Sequence, residues 1–443
     1  MKPAIRGAVA GFVGGLVFGA SMAFYGMLPT VASIVRTGSP VVGFLVHMVF
    51  AVVIGAGFGV LADRHRQIVS WGLLYGAFWW FLGPLTLLPL FQGGAVTWTL
   101  SAAQALLPSL IGHLSYGMTV ALAYLLLRGE RPSSWPRPAM LARGLVAGAL
   151  AGGLSLHGLG FLLGAAAGIL YPLVFPAPES SGPALVRGSS YGFMWWVFFR
   201  LTGEPLLHGE LDWAHPPVDQ FPGYLLLGAL TAVLYTWLGT LSRGLFVDDV
   251  RMFPVEAPGT RAFRAIRSGA VAGLVGGTLF TAVMVAVGVL PTVARMVGST
   301  NAVVGLIVHL IIAQLIGVSY AVLFRRKSFD FVSGIGWGLC YGFFWWVLGD
   351  LTLLPLFTGS SVRWDAGALA SGLPSLVGHL AYGAALGAVY FRLEARTNPW
   401  WMTRSEAETA RVEARRDQTL GSAPALWALT VFVALTVPVL IFA

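Results

Sequence analysis

The chain has 443 residues, 57% of them apolar and 10% charged, with a mean hydropathy of +0.78. Such a composition excludes a soluble globular domain, and apolar runs of about 20 residues match helices that cross a bilayer. The net charge of +9 resides mainly in arginines between the apolar runs, a pattern that sets membrane topology rather than nucleic-acid binding. A single cysteine, Cys340, excludes an internal disulfide framework and a cysteine-based metal cage.

The N-terminal MKPAIR has the basic start of a signal peptide, but the apolar run over 7–28 is too long for one and lacks a convincing cleavage site, so it reads as a first spanning helix. Gly7, Gly11, Gly15 and Gly19 recur every fourth residue and predict a close-packing ridge. MLPTVA follows at 27–32, GFLVHM at 43–48 on a second helix, and YGAFWW at 75–80 on a third. The next stretch, LTLLPLF at 85–91, is expected to break at Pro89, which cannot donate a backbone bond, and to form an outer lid. The tryptophan pair Trp79 and Trp80 falls near the outer end, where an aromatic belt belongs; the alternative is a pocket wall for a flat lipid-soluble ligand. LPSLIGHLSYG at 107–117 opens a fourth helix.

An eroded copy of this series occupies 140–245, with RGLVAGALAGG from Arg143, YGFMWW at 191–196 and a last helix near 224–241 that has lost the Gly-His pair. Arg143 and Arg187 both read as cytoplasmic. The chain between them, 143–176, gives about 50 Å of helix where two crossings need roughly 60 Å, so a re-entrant or broken helical hairpin is expected there. A complete copy then returns over 262–393, with RSGAVAGLVGG from Arg267, VLPTVA at 289–294, GLIVHL at 305–310, YGFFWW at 341–346, LTLLPLF at 351–357 and LPSLVGHLAYG at 373–383. The units 1–130 and 262–393 read as direct duplicates. A charged linker spans 394–421, with Glu406, Glu408, Arg411, Glu413, Arg415 and Arg416, and a final apolar helix spans 422–443. The expected fold is all-α: a polytopic transmembrane helical bundle of three tandem repeats with about 11 to 13 spans.

Basic residues alternate with loops nearly free of positive charge, which places the N-terminus, the runs at 63–66, 128–143 and 325–327, and Arg392 in the cytoplasm. Second and fourth helices then run inward. His47 and His113 lie at one level, roughly 10 to 13 Å below the outer ends of their helices, and His309 and His379 repeat the arrangement. An imidazole in lipid needs a partner, and four readings stay open: an interhelical hydrogen bond, axial ligation of haem b, a metal held by two imidazoles with other donors, or a proton or solute path. Under the haem reading Gly112, Gly117, Gly378 and Gly383 clear space for the macrocycle. Both pairs lie near the outer surface, and there is no CxxCH motif for a covalently attached haem.

Metalloprotease, nucleophile-elbow and phosphate-loop signatures are missing from the sequence. The expected helices hold no glutamate, and Asp350 lies near an outer end, which argues against ion-coupled transport. GLLYGAFWW at 72–80, the leucine-proline segment after it and GHL at 112–114, with their counterparts in the last unit, resemble the YagU-like family of bacterial inner-membrane proteins. The likeness covers helices two to four of each complete unit through His47, Gly112, His113, His309, Gly378 and His379. It implies a bacterial cytoplasmic membrane and a loose link with acid tolerance, without an established activity. The expected function is a non-enzymatic binding or assembly subunit whose histidine pairs hold haem b or a metal. A channel or transporter for a small solute or protons is the alternative. Expected partners are the lipid bilayer, other membrane-complex subunits or further copies of the chain, and not nucleic acid.

Overall fold

The computed structural model describes residues 1–129, 138–156, 158, 160–175, 180–246, 258–324, 327–395 and 404–443. The arginine-bearing loop at 130–137, Arg325 and Arg326, the linker start at 396–403 and the side chains of Glu406 and Arg411 lie outside the described residues.

The described residues form helices and no strand, and 11 of the helices are long and apolar enough to cross a membrane. Lipid offers the backbone no hydrogen-bond partner, so a chain this apolar satisfies its peptide groups within helices. The first segment contains α1 (Pro3–Phe24), α2 (Leu28–Ala32), α3 (Pro40–Asp63), α4 (Val69–Leu82), α5 (Leu88–Phe91), α6 (Leu100–Ala105) and α7 (Leu107–Arg128). The middle holds α8 (Pro138–Ser155), α9 (Gly160–Val174), α10 (Ser181–Trp195), α11 (Glu204–His208) and α12 (Phe221–Phe246). Then α13 (Pro258–Val287), α14 (Leu290–Ala294), α15 (Ala302–Phe324), α16 (Phe331–Trp345), α17 (Leu354–Phe357), α18 (Ala366–Ser371) and α19 (Leu373–Ala395) follow in the order of α1 to α7. The chain ends with α20 (Arg404–Leu420) and α21 (Ala423–Ile441). Pro3, Pro40 and Pro108 occupy first turns, where a missing N–H has no helical partner to lose.

Two compact units result: Met1–Trp135 with Met194–Pro217 and Thr419–Ala443, and Pro136–Phe193 with Val218–Gln418. The segment read from sequence as 140–245 therefore contributes to both. In the first unit α1 packs on α3 and α7, α4 packs on α7, and α21 lies against α4 and α6. The glycine ridge faces α3: a Cβ at Gly7 would come 2.7 Å from Gly59 Cα, and one at Gly11 would come 2.8 Å from Gly55 Cα. Backbone touches backbone there, which is how helices adhere without a hydrophobic drive. α4 and α7 meet in the same way, with Gly117 against Gly72 and Gly76.

In the second unit α13 packs on α15 and α19, and α16 on α19. Gly144, Gly148 and Gly152 of α8 lie against Gly168, Gly164 and Gly160 of α9 in a tight antiparallel hairpin. α8, with 18 residues, is one of the 11 helices long enough to cross a membrane, whereas α9, with 15, falls short of that length. On α12, Gly223, Tyr224 and Gly228 keep the spacing of Gly112, His113 and Gly117. A Cβ at Gly192 would meet the Tyr224 carbonyl as one at Gly76 would meet the His113 carbonyl. The middle segment thus keeps the glycines of the motif and carries tyrosine in place of histidine.

The prolines do not break the third helix. At or just after the second tryptophan of each pair the backbone widens into a π-helical turn, at Gly83–Leu87, Trp196–Gly203 and Trp346–Leu353, and then continues as α5, α11 and α17. The wide turn shifts the carbonyl register that a proline ring would otherwise clash with four residues back. Thr86, Thr202 and Thr352 donate their hydroxyls to carbonyls five residues earlier, on Phe81 (2.8 Å), Val197 (2.9 Å) and Val347 (2.8 Å). LTLLPLF therefore extends the helix, giving spans of Val69–Phe91 and Phe331–Phe357, instead of folding over it as a lid. The second tryptophan of each pair is buried rather than set in an interfacial belt. Trp80 Nε1 donates to Leu106 O at 3.1 Å and Trp346 Nε1 to Gly372 O at 2.9 Å, pinning the junction just ahead of each later histidine helix.

Candidate functional site

The four histidines take fixed partners. On α3, His47 Nε2 donates to Gly15 O of α1 at 3.0 Å, and on α15, His309 Nε2 donates to Gly277 O of α13 at 3.0 Å. A carbonyl only accepts, so Nε2 carries the proton and Nδ1 the lone pair in the neutral ring. Gly15 and Gly277 permit the reach, since a Cβ at either would come 2.6 Å from the Cβ of Ala51 or Ala313 on the facing helix. His113 and His379 hold the opposite tautomer: Nδ1 donates to the carbonyl one turn back, Ser109 O at 2.8 Å and Ser375 O at 2.9 Å. The hydroxyls of Ser109 and Ser375 lie 3.3 and 3.2 Å from the same nitrogens. Nε2 is the free acceptor in these two rings.

Each pair meets around a phenylalanine that sequence reasoning passed over. Phe18 presents an edge-on contact to His47, with centroids 5.3 Å apart, and to His113, 4.7 Å apart. Phe280 repeats it, 5.4 Å from His309 and 4.7 Å from His379. Gly112 and Gly378 clear the space these phenyl rings fill, for a Cβ at either would overlap Phe18 or Phe280. The residues therefore do not fit a haem shared between the imidazoles: a macrocycle would have to displace the buried phenyl ring packed against both. Among the described residues no cluster of three or more His, Cys, Asp or Glu side chains assembles a metal site. The sequence signal for the phenylalanines was their position, three residues after Gly15 and Gly277 in the matched ridges.

In the second unit this constellation opens into a cavity of about 830 Å³, lined by Phe280, His309, Trp345, Asp350, Ser375 and His379 and walled by Met284, Ile312 and Leu315. Leu315 is 64% exposed on the outer face of α15, so one wall borders the zone that lipid fills. Asp350 enters from the π turn. Its position corresponds to Pro84 in the first segment and Arg200 in the middle one, counted from the tryptophan pairs. Ser375 faces the same cavity from α19. Arg295 and Arg363 line the exposed rim, and Arg363 Nε pairs with Asp365 at 2.9 Å.

No known protein family, characterised protein or solved structure matches this chain. Asp350, Ser375 and His379 resemble the members of a hydrolytic triad but are wired differently. His379 Nδ1 spends its proton on Ser375 and so offers the hydroxyl no lone pair, which a base activating serine has to supply.

Proposed function

We propose that the protein is a non-enzymatic, multi-pass protein of the bacterial cytoplasmic membrane, N-terminus inside, that binds a lipid-soluble small molecule in the cavity of its second unit. The observation that carries this reading is the combination of an apolar wall bordering the lipid zone with a small polar cluster, Asp350, Ser375 and His379, inside one cavity. Ligand sites are typically apolar enclosures with few well-placed polar groups that set orientation. The YagU-like resemblance and the arginine pattern support the membrane and the orientation. The binding-subunit reading keeps the histidines as cavity lining without a haem between them. A transporter would use the same cavity as its loading site.

The test is to purify the full chain in lipid nanodiscs, extract what accompanies it and compare by mass spectrometry with Ile312→Trp, whose indole fills the cavity. A lipophilic species enriched in the wild type and depleted in the variant supports the reading. Identical extracts, together with no saturable uptake of a hydrophobic fluorescent probe by the wild type, would overturn it. Flux of the extracted species into sealed liposomes separates carriage from binding alone.

A further inference from the structure

The N–H donors of the cavity histidines are spent on backbone. His379 donates Nδ1–H to the Ser375 carbonyl at 2.9 Å, with the Ser375 hydroxyl 3.2 Å from the same nitrogen. Left over inside the cavity are acceptors: the Asp350 carboxylate and the Nε2 lone pair of His379. His309, which lines the same cavity, has likewise given its N–H to Gly277 O and keeps a lone pair on Nδ1. Among the described residues no lysine or arginine pairs with Asp350. Trp345 and Phe280 add aromatic surface. The lining arginines sit on the exposed rim, and Arg363 is already paired with Asp365.

A lining with acceptors, one unpaired carboxylate and aromatic rings suits a cation that brings its own N–H donors. We propose that the cavity takes an amphiphilic primary amine, an ammonium group on an apolar body, with Asp350 as its counter-ion and His379 Nε2 as a second acceptor. The inference rests on the cavity reading above. It also explains why the acid belongs to this segment alone: with Pro84 or Arg200 at the corresponding position, a cation would meet no counter-charge. The same chemistry is available from an aminolipid of the surrounding bilayer and from a free lipophilic amine.

The experiment measures binding of radiolabelled dodecylamine to the full chain in nanodiscs of phosphatidylglycerol, with dodecanol as a neutral competitor of the same length. Wild type should bind saturably, dodecanol should compete poorly, and Asp350→Asn should weaken binding by about tenfold or more, the loss expected for a charge-assisted contact. Ser375→Ala, which changes the polar lining and leaves the Asp350 charge, should bind within about threefold of wild type. The competition by dodecanol on wild type keeps the test open if Asp350→Asn fails to fold. Equal affinity of Asp350→Asn and wild type, or equal competition by dodecanol, would overturn the ammonium assignment. If in that case Ile312→Trp still abolishes binding, the cavity reading survives alone; if nothing binds saturably, both fall. Displacement of dodecylamine when phosphatidylethanolamine replaces part of the phosphatidylglycerol identifies the lipid as the source of the amine. Retention there, with displacement only by soluble alkylamines, identifies a free ligand.

Discussion

A phenyl ring held between two imidazoles has little room to adjust, and Phe18 and Phe280 are both almost fully buried. Truncating either to alanine is expected to cost about 3–5 kcal/mol, the range for large aromatic residues in packed cores, and leucine should cost less. Unfolding of the single variants in bicelles checks this, and unchanged stability would mean the rings are not packed as described. His65 lies outside the spans, between α3 and α4. Its ring tilts over Trp71 with centroids 4.2 Å apart, and Arg66 N donates to Leu420 O at 2.9 Å beside it. Burial pushes its pKa below the ordinary 6.5, with the Arg64 charge acting the same way and backbone bonds to Leu420 and Thr419 opposing. A depressed histidine leaves the unfolded chain to take the proton first. Stability is therefore full above the unfolded value and declines as the pH drops through 6.5 toward the folded one. His65→Phe, which keeps a ring over Trp71, should flatten the fall in melting temperature between about pH 7.5 and pH 5.5. At this scale the sequence revealed the histidines, because a polar letter stands out among apolar ones. Their phenylalanine partners did not stand out, because one Phe among many apolar residues carries no mark of what it touches.

Helices in this chain are sewn together by glycine. Gly11→Leu and Gly273→Leu are expected to lower yield or melting temperature, since each side chain would be driven into the backbone of α3 or α15. Normal yield and stability in both would mean that the ridges face lipid. These ridges were legible from their four-residue period alone, as were the spans, whose apolar length is a direct requirement of the bilayer. The π turns were not. Pro89 and Pro355 read as breaks because local sequence says that proline removes a backbone bond, and nothing local says that the preceding turn has widened to absorb the loss. Asp350 lies within the last of these turns and lines the cavity from there. In the middle segment, reading for histidine concealed the kept spacing of Gly223, Tyr224 and Gly228.

For the molecule as a whole, the arginine pattern makes a prediction that reporters can check. Fusions after Arg66 or Arg326 should report cytoplasmic, and fusions after Gly93 or Gly359 external. Opposite orientations of the first and last segments would defeat the reading of them as direct duplicates. Compact units, by contrast, were not readable from the chain, because the sharing of 140–245 between them depends on contacts distant in sequence. The glycine contacts also have a mechanical consequence. Two helices in backbone contact along several turns bend and slide as one plate, so α1 with α3 and α4 with α7 form two stiff plates in the first unit. His47 is tethered within one plate, to Gly15, and His113 within the other, to Ser109. The seam between the plates passes between Phe18 and His113. Two tyrosines of α7 rivet that seam, Tyr116 donating to Ala51 O at 2.6 Å and Tyr124 to Gly59 O at 3.2 Å on α3, so a strain on this unit moves the plates together and leaves the spacing of the two imidazoles unchanged.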